Sequence, residues 1–136
     1  MERTPNKFPK QEHLKSEKQI DRLFTNGNAF IVYPIRVVYL LENETSTIDG
    51  GNKQPAVQVL VSVPKKKFKR AVHRNRIKRL MREAYRLNKH ELFDKASDAN
   101  TFVSIAFQYV ADTEAAYGLI ERKLKAALDK IGCEIT

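Results

Sequence analysis

The chain has 136 residues, 42% of them apolar, enough for one modest core and too few for two, which excludes a multidomain enzyme. Its 25 Lys and Arg against 16 Asp and Glu leave a formal charge of +9 and a sequence pI near 9.7, so a polyanionic partner is expected. No run approaches the roughly 18 apolar residues of a membrane span. Met1 to Lys10 lacks the apolar stretch of a signal peptide, and a soluble, cytoplasmic protein is expected. The single cysteine, Cys133, allows neither an internal disulfide nor a thiolate metal cluster.

The excess charge is concentrated. Residues 65–82 hold ten bases and no acid: Lys65, Lys66, Lys67, Lys69, Arg70, Arg74, Arg76, Lys78, Arg79 and Arg82. Elsewhere 15 bases face 16 acids, so this segment accounts for the net charge. A smaller set, Arg3, Lys7 and Lys10 around Phe8, decorates an N-terminal arm that Pro5 and Pro9 keep extended.

Taken in chain order, Ser16 followed by Gln19 forms a capping-box pattern. Ile20, Leu23 and Phe24 then recur at helical spacing before Gly27, which predicts a short helix over 17–26. Ala29 to Leu41 is β-branched and aromatic, with Ile35, Val37, Tyr39 and Leu41 on one face, and reads as a strand with room for an additional one near Phe30. The polar stretch from Glu42 to Pro55, with Asp49-Gly50-Gly51, separates it from Ala56–Val63. There Val57, Val59, Val61 and Val63 alternate, and the two strands are expected to run antiparallel across a long loop.

From about His73 to Asn88 the period becomes helical. Ile77, Leu80, Met81, Ala84, Tyr85 and Asn88 form one stripe, with Asn75, Arg79, Arg82 and Arg86 opposite. Thr101 to Val110 reads as a strand, with Phe102, Ser104 and Ala106 on one face and Val103, Ile105 and Phe107 on the other. Asp112 and Thr113 are positioned to cap a last helix, whose Ala116, Leu119, Ile120, Leu124, Ala127, Leu128 and Ile131 repeat at three and four. The order implies an α+β domain of about three helices packed on a small sheet, and general chirality favours a right-handed strand-helix-strand crossover.

Catalytic constellations are weak. His13, His73 and His90 do not share a metal-binding spacing, no phosphate-cradling glycine run occurs among five glycines, and the expected strands carry almost no carboxylates that could converge on Mg²⁺. Cys133, near the C-terminal end, reads as a surface or edge thiol. The basic segment is different. A solvated helix face intersperses acids at helical spacing, whereas ten bases without one repel each other unless a polyanion relieves them. Arg74-Asn75-Arg76 at a helix start places two guanidinium forks and an amide where the helix dipole already favours anions. For Ile20, Leu23 and Phe24 a core role outweighs a functional one. Tyr39, Phe102 and Phe107 also read as core, though an aromatic left exposed on a sheet could stack on unpaired bases.

The run Val61-Ser-Val-Pro-Lys-Lys-Lys-Phe-Lys-Arg-Ala-Val-His-Arg-Asn-Arg-Ile-Lys-Arg-Leu-Met-Arg-Glu-Ala-Tyr-Arg86 strongly resembles the signature of the bacterial ribonuclease P protein component. Leu14-Lys15-Ser16 leading into Ile20, Phe24 and Gly27 looks like that family's first helix. The resemblance implies a basic N-terminal arm over 1–13 and one RNA-binding α+β domain over 14–136, small and mixed in its sheet, with a left-handed strand-helix-strand crossover in place of the right-handed default. It also implies pairing with a catalytic RNA that removes the 5′ leader of precursor tRNA using Mg²⁺ held mainly by RNA groups, with no catalytic residue, metal site or obligatory protein partner for this chain. The ten bases of 65–82 together with Asn75 would meet that RNA, and Ile20 and Phe24 would line a cleft for the single-stranded leader. Ile20 departs from the aromatic that many members carry, and Phe107-Gln108-Tyr109-Val110 departs from an expected basic stretch, so that end of the sheet is expected to make no phosphate contact. A ribosomal or RNA-chaperone protein is the rival reading from another class, and a self-sufficient endoribonuclease using His73 or His90 as base is a third.

Overall fold

In the computed structural model, residues 12–43 and 56–135 are described. The segment carrying Arg3, Lys7, Phe8 and Lys10 and the stretch Asp49-Gly50-Gly51 lie outside the described residues.

Helix α1 (Glu17–Asn26) starts at Ser16, whose side chain accepts the Gln19 N–H at 3.3 Å. The other half of the expected capping box is not made. Gln19 Nε2 instead donates to Glu42 Oε1 at 2.7 Å and Ser104 Oγ at 2.9 Å, tying the helix to the sheet. Gly27 ends the helix for reasons of space. Its φ of −77° is ordinary, but a Cβ there would lie 2.3 Å from the Leu23 carbonyl oxygen and 2.7 Å from that of Tyr39.

The strand expected over 29–41 is two strands, β1 (Asn28–Val32) and β2 (Ile35–Asn43), folded back at Tyr33–Pro34, whose peptide bond is cis. With β3 (Val57–Ser62) and β4 (Thr101–Tyr109) they form a sheet ordered β1-β2-β4-β3. The strands β2 and β3 run antiparallel as expected but are not neighbours, because β4 lies between them, antiparallel to β2 and parallel to β3. The reason is burial: Phe102 through Phe107 are all buried, and a strand apolar on both faces belongs at the centre. Parallel neighbours need a crossover. Helices α2 (Ala71–Asn88) and α3 (His90–Asp98) supply it, joined through the single residue Lys89. Four helices therefore replace the expected three, since the short stripe of Leu92 and Ala96 on α3 follows α2 without a break in composition.

The last helix, α4 (Tyr117–Glu134), has Ala116 at its N-cap with no side-chain cap, so Asp112 and Thr113 do not cap it. The Tyr109 hydroxyl holds that connection instead, donating to the Thr113 carbonyl and accepting the Ala115 N–H at 2.8 Å.

Three layers result. One sheet face, with Val37, Val59, Ile105 and Phe107, packs against Ile77, Met81 and Tyr85 of α2, Leu92 of α3 and Ile120, Leu124 and Ile131 of α4. The other face, with Val38 and Ala106, packs against Leu14 and against Leu23 of α1. Tyr39, Phe102 and Phe107 are all buried, so none offers a ring for stacking.

Glu12 and His13, placed in the arm by sequence, are seated on the domain. His13 bridges to Val59, and Leu14 donates its N–H to the Val59 carbonyl at 2.9 Å. Glu12 accepts from the fully buried Lys89 at 2.8 and 3.0 Å and from the Tyr85 hydroxyl at 3.5 Å. A buried pair of this kind contributes less to net stability than to holding one arrangement, because its desolvation offsets much of its attraction. Among the described residues no helix is long and apolar enough to cross a membrane.

Candidate nucleic-acid interface

Burial of Ile77, Met81, Ala84 and Tyr85 fixes the rotation of α2 and leaves the opposite face outward. On that face Val72, Asn75, Arg76, Arg79 and Arg82 line a shallow hollow of about 520 Å³. The first turn of α2 carries no acid and its N-cap, Arg70, makes no side-chain cap, so the positive end of the helix dipole adds to the bases around it.

The ten bases are not equivalent. Lys65, Lys66, Lys69, Arg70, Arg76, Arg79 and Arg82 are exposed, and Lys78 is half-buried at the flank of the helix. Arg74 turns inward: its Nη1 donates to the carbonyls of Phe68 at 2.7 Å and Lys69 at 2.9 Å, bracing the loop against the helix start. Lys67 pairs with Asp112 at 3.4 Å and also donates to the Val110 carbonyl. Val72, 71% exposed, is the apolar member of the basic face. Its place was readable from its spacing of three, four and seven to Asn75, Arg76 and Arg79.

Farther along, Arg86 pairs with Glu83, which lowers the Glu83 pKa and raises that of Arg86. His73, without a partner by sequence spacing, has its Nδ1 3.6 Å from Glu114 Oε2. His13 and His90 lie elsewhere, on the β3 edge and at the start of α3. Cys133 is exposed. Among the described residues no group of three His, Cys, Asp or Glu side chains could hold a metal ion.

Across the sheet, Leu23 is the α1 residue that enters the core. Ile20 is only partly buried and packs with Leu40 and Leu60 against Leu14, Leu23, Val38 and Ala106. Phe24, one position beyond Leu23, is 44% exposed. Sequence reasoning missed what ties α1 to the sheet: Gln19, bridging Glu42 and Ser104, with Arg22 paired to the same Glu42. The basic face of α2 and the α1 residues Ile20 and Phe24 thus lie on opposite sides of the sheet.

An open cationic helix face on a three-layer α+β domain is the kind of surface that suits a polyanion. Comparison with known proteins narrows this. The family model for ribonuclease P matches residues 8–132. A ribonuclease P protein component of Porphyromonas gingivalis is 43% identical over 122 residues, covering 90% of this chain and 84% of that protein. One from Chlorobium phaeobacteroides is 32% identical over 133 residues, covering 93% and 88%. The solved structure of the Staphylococcus aureus RNase P protein shares the fold, with a TM-score of 0.64 at 21% identity, covering 91% of this chain and 96% of that one. The chain belongs to the ribonuclease P protein family.

Proposed function

We propose that this chain is the protein subunit of a ribonuclease P ribonucleoprotein, binding a catalytic RNA through the basic face of α2 and its preceding loop and promoting removal of the 5′ leader from precursor tRNA in the cytoplasm. The observation that carries the reading is the outward row of Asn75, Arg76, Arg79 and Arg82 at an acid-free helix start. These side chains neutralise phosphates and release counterions, which lowers the cost of bringing two polyanionic RNAs together. In this reading Mg²⁺ is held by RNA groups and supplies the chemistry of phosphodiester hydrolysis, while the protein contributes binding and orientation. The single-stranded leader lies along Ile20 and Phe24 beside α1, where Ile20 offers apolar contact and the exposed Phe24 ring a surface for a base.

The test is leader cleavage of a precursor tRNA at low millimolar Mg²⁺ by the protein alone, by a bacterial ribonuclease P RNA alone, and by both. Stimulation confined to the combined sample is the expected result. Cleavage by the protein alone would overturn the reading and turn attention to His73 and its neighbour Glu114. Binding without stimulation would favour a ribosomal or chaperone role.

A further inference from the structure

The N-cap of α4 makes no side-chain bond, so Asp112 does not fill the capping role that its place in the sequence suggests. It turns toward the basic segment instead, and Glu114 does the same. Asp112 Oδ1 lies 3.4 Å from Lys67 Nζ, and Glu114 Oε2 lies 3.6 Å from His73 Nδ1. Lys67 also donates to the Val110 carbonyl, at the base of the same β4–α4 connection. Two cationic positions of the segment, one in the lysine-rich loop and one in the first turn of α2, thus face carboxylates of a single short stretch of chain.

The backbone under these pairs is braced. Tyr109 is fully buried, and its hydroxyl donates to the Thr113 carbonyl and accepts the Ala115 N–H, which pins the connection on either side of Glu114. The Phe68 ring of the loop packs on the Tyr109 ring, with centroids 5.9 Å apart. Acids and bases are therefore carried by two segments that rest on one side chain. The row of carboxylates continues along the seam between α2 and α4: Glu83, near Tyr117, pairs with Arg86, and Glu121 accepts from Asn88 at 3.2 Å. The hollow on the outward face of α2 has no acid among its lining residues. With the Asp112 side chain 83% exposed, its pair with Lys67 contributes little to stability. Its larger effect is on the field that an approaching polyanion meets, because each carboxylate offsets one base and repels a phosphate displaced toward the seam.

We propose that Asp112 and Glu114 are specificity determinants: they hold Lys67 and His73 back from phosphates and bound the RNA footprint along the α2–α4 seam, so that an RNA whose backbone follows the outward face of α2 is preferred over one that does not. The proposal rests on the reading that the basic face of α2 meets RNA, and it adds a repulsive element to that attractive surface. His73 is charged only when protonated, but Glu114 sets a carboxylate beside the first turn of α2 in either state.

The experiment measures filter binding over a salt series to a ribonuclease P RNA and to poly(U), a single strand of no fixed shape. Asp112→Asn should tighten poly(U) binding about 3-fold, and Asp112→Asn with Glu114→Gln about 10-fold, while binding of the ribonuclease P RNA gains less than about 2-fold. Lys67, released from its partner, adds one phosphate contact, so the poly(U) salt slope of Asp112→Asn should steepen by about 0.7. Lys67→Gln should cancel that increment in the Asp112→Asn background and leave the slope unchanged in the wild-type background. Urea midpoints of the free proteins should stay near wild type. A midpoint that falls with no gain in poly(U) binding would make the pairs structural and overturn the proposal. Variants that bind both RNAs as wild type does, or that gain equally for both, overturn it as well and leave the basic face intact. A wild type whose binding to the ribonuclease P RNA is independent of salt overturns the basic-face reading itself, and the boundary with it.

Discussion

Arg74 and Arg76 look interchangeable in the sequence, and the structure gives them different tasks. The perturbation that separates them is Arg74→Ala beside Arg76→Ala. Eight bases of the segment are exposed, Lys67 among them although it pairs with Asp112. If about six of them meet phosphates, the slope of log K against log salt is about −4 to −5. Arg76 is one of these, so Arg76→Ala should make the slope shallower by about 0.7 to 0.9 while leaving stability within about 0.5 kcal/mol, as an exposed helix substitution does. Arg74 donates to two loop carbonyls, at 2.7 and 2.9 Å. The bond to Phe68 is partly buried and the one to Lys69 exposed, and removing a charged donor of this kind costs about 1.5 to 3 kcal/mol. Arg74→Ala should therefore lower the urea midpoint and leave the salt slope of the folded fraction near wild type. The assay pairs filter binding to a ribonuclease P RNA over a salt series with urea denaturation of the free protein. An Arg74→Ala protein of unchanged stability whose slope drops as far as that of Arg76→Ala would refute the assignment and place Arg74 on the RNA.

Two further outcomes concern stability. In the Glu12–Lys89 pair, both partners are buried and 2.8 Å apart, so Glu12→Gln or Lys89→Met alone should cost about 3 to 5 kcal/mol by stranding one charge, and the double variant should recover much of it; a double-mutant cycle in urea with no coupling would show that the pair is not formed. At alkaline pH, burial and the nearby Glu134 push Tyr39 from 10.0 up to about 12, and burial also raises Tyr85, beside Glu12, and Tyr117, beside Glu121. The folded chain thus retains phenolic protons that the unfolded chain loses, so this contribution is complete below about pH 10 and declines as pH rises through about 12. Urea midpoints measured across that window should fall, and Tyr39→Phe should flatten the fall.

The charge segment, the stripe of α2 and the alternation of β3 are legible in the sequence because each depends on neighbours within a few residues. Charge is a property of composition, and a period of 3.6 or 2 decides which side of an element is buried. That information suffices to place Asn75, Arg79 and Arg82 outward and Val57, Val59 and Val61 inward. Strand order is another matter. Nothing local states that β4 inserts between β2 and β3, because pairing is settled by which strand is apolar on both faces and can therefore occupy the centre.

The same limit applies to individual side chains. Gln19 reads as a capping residue and bonds to Glu42 and Ser104, 23 and 85 positions away. Arg36 meets Gln108 across 72 positions, and Lys89 meets Glu12 across 77. Arg74 is a local case of the same kind, since its spacing suits an outward phosphate contact while the Phe68 and Lys69 carbonyls draw it inward. Residue type and spacing state what a group can bond. Only the folded chain brings up the competing partners, and desolvation of those partners decides among them.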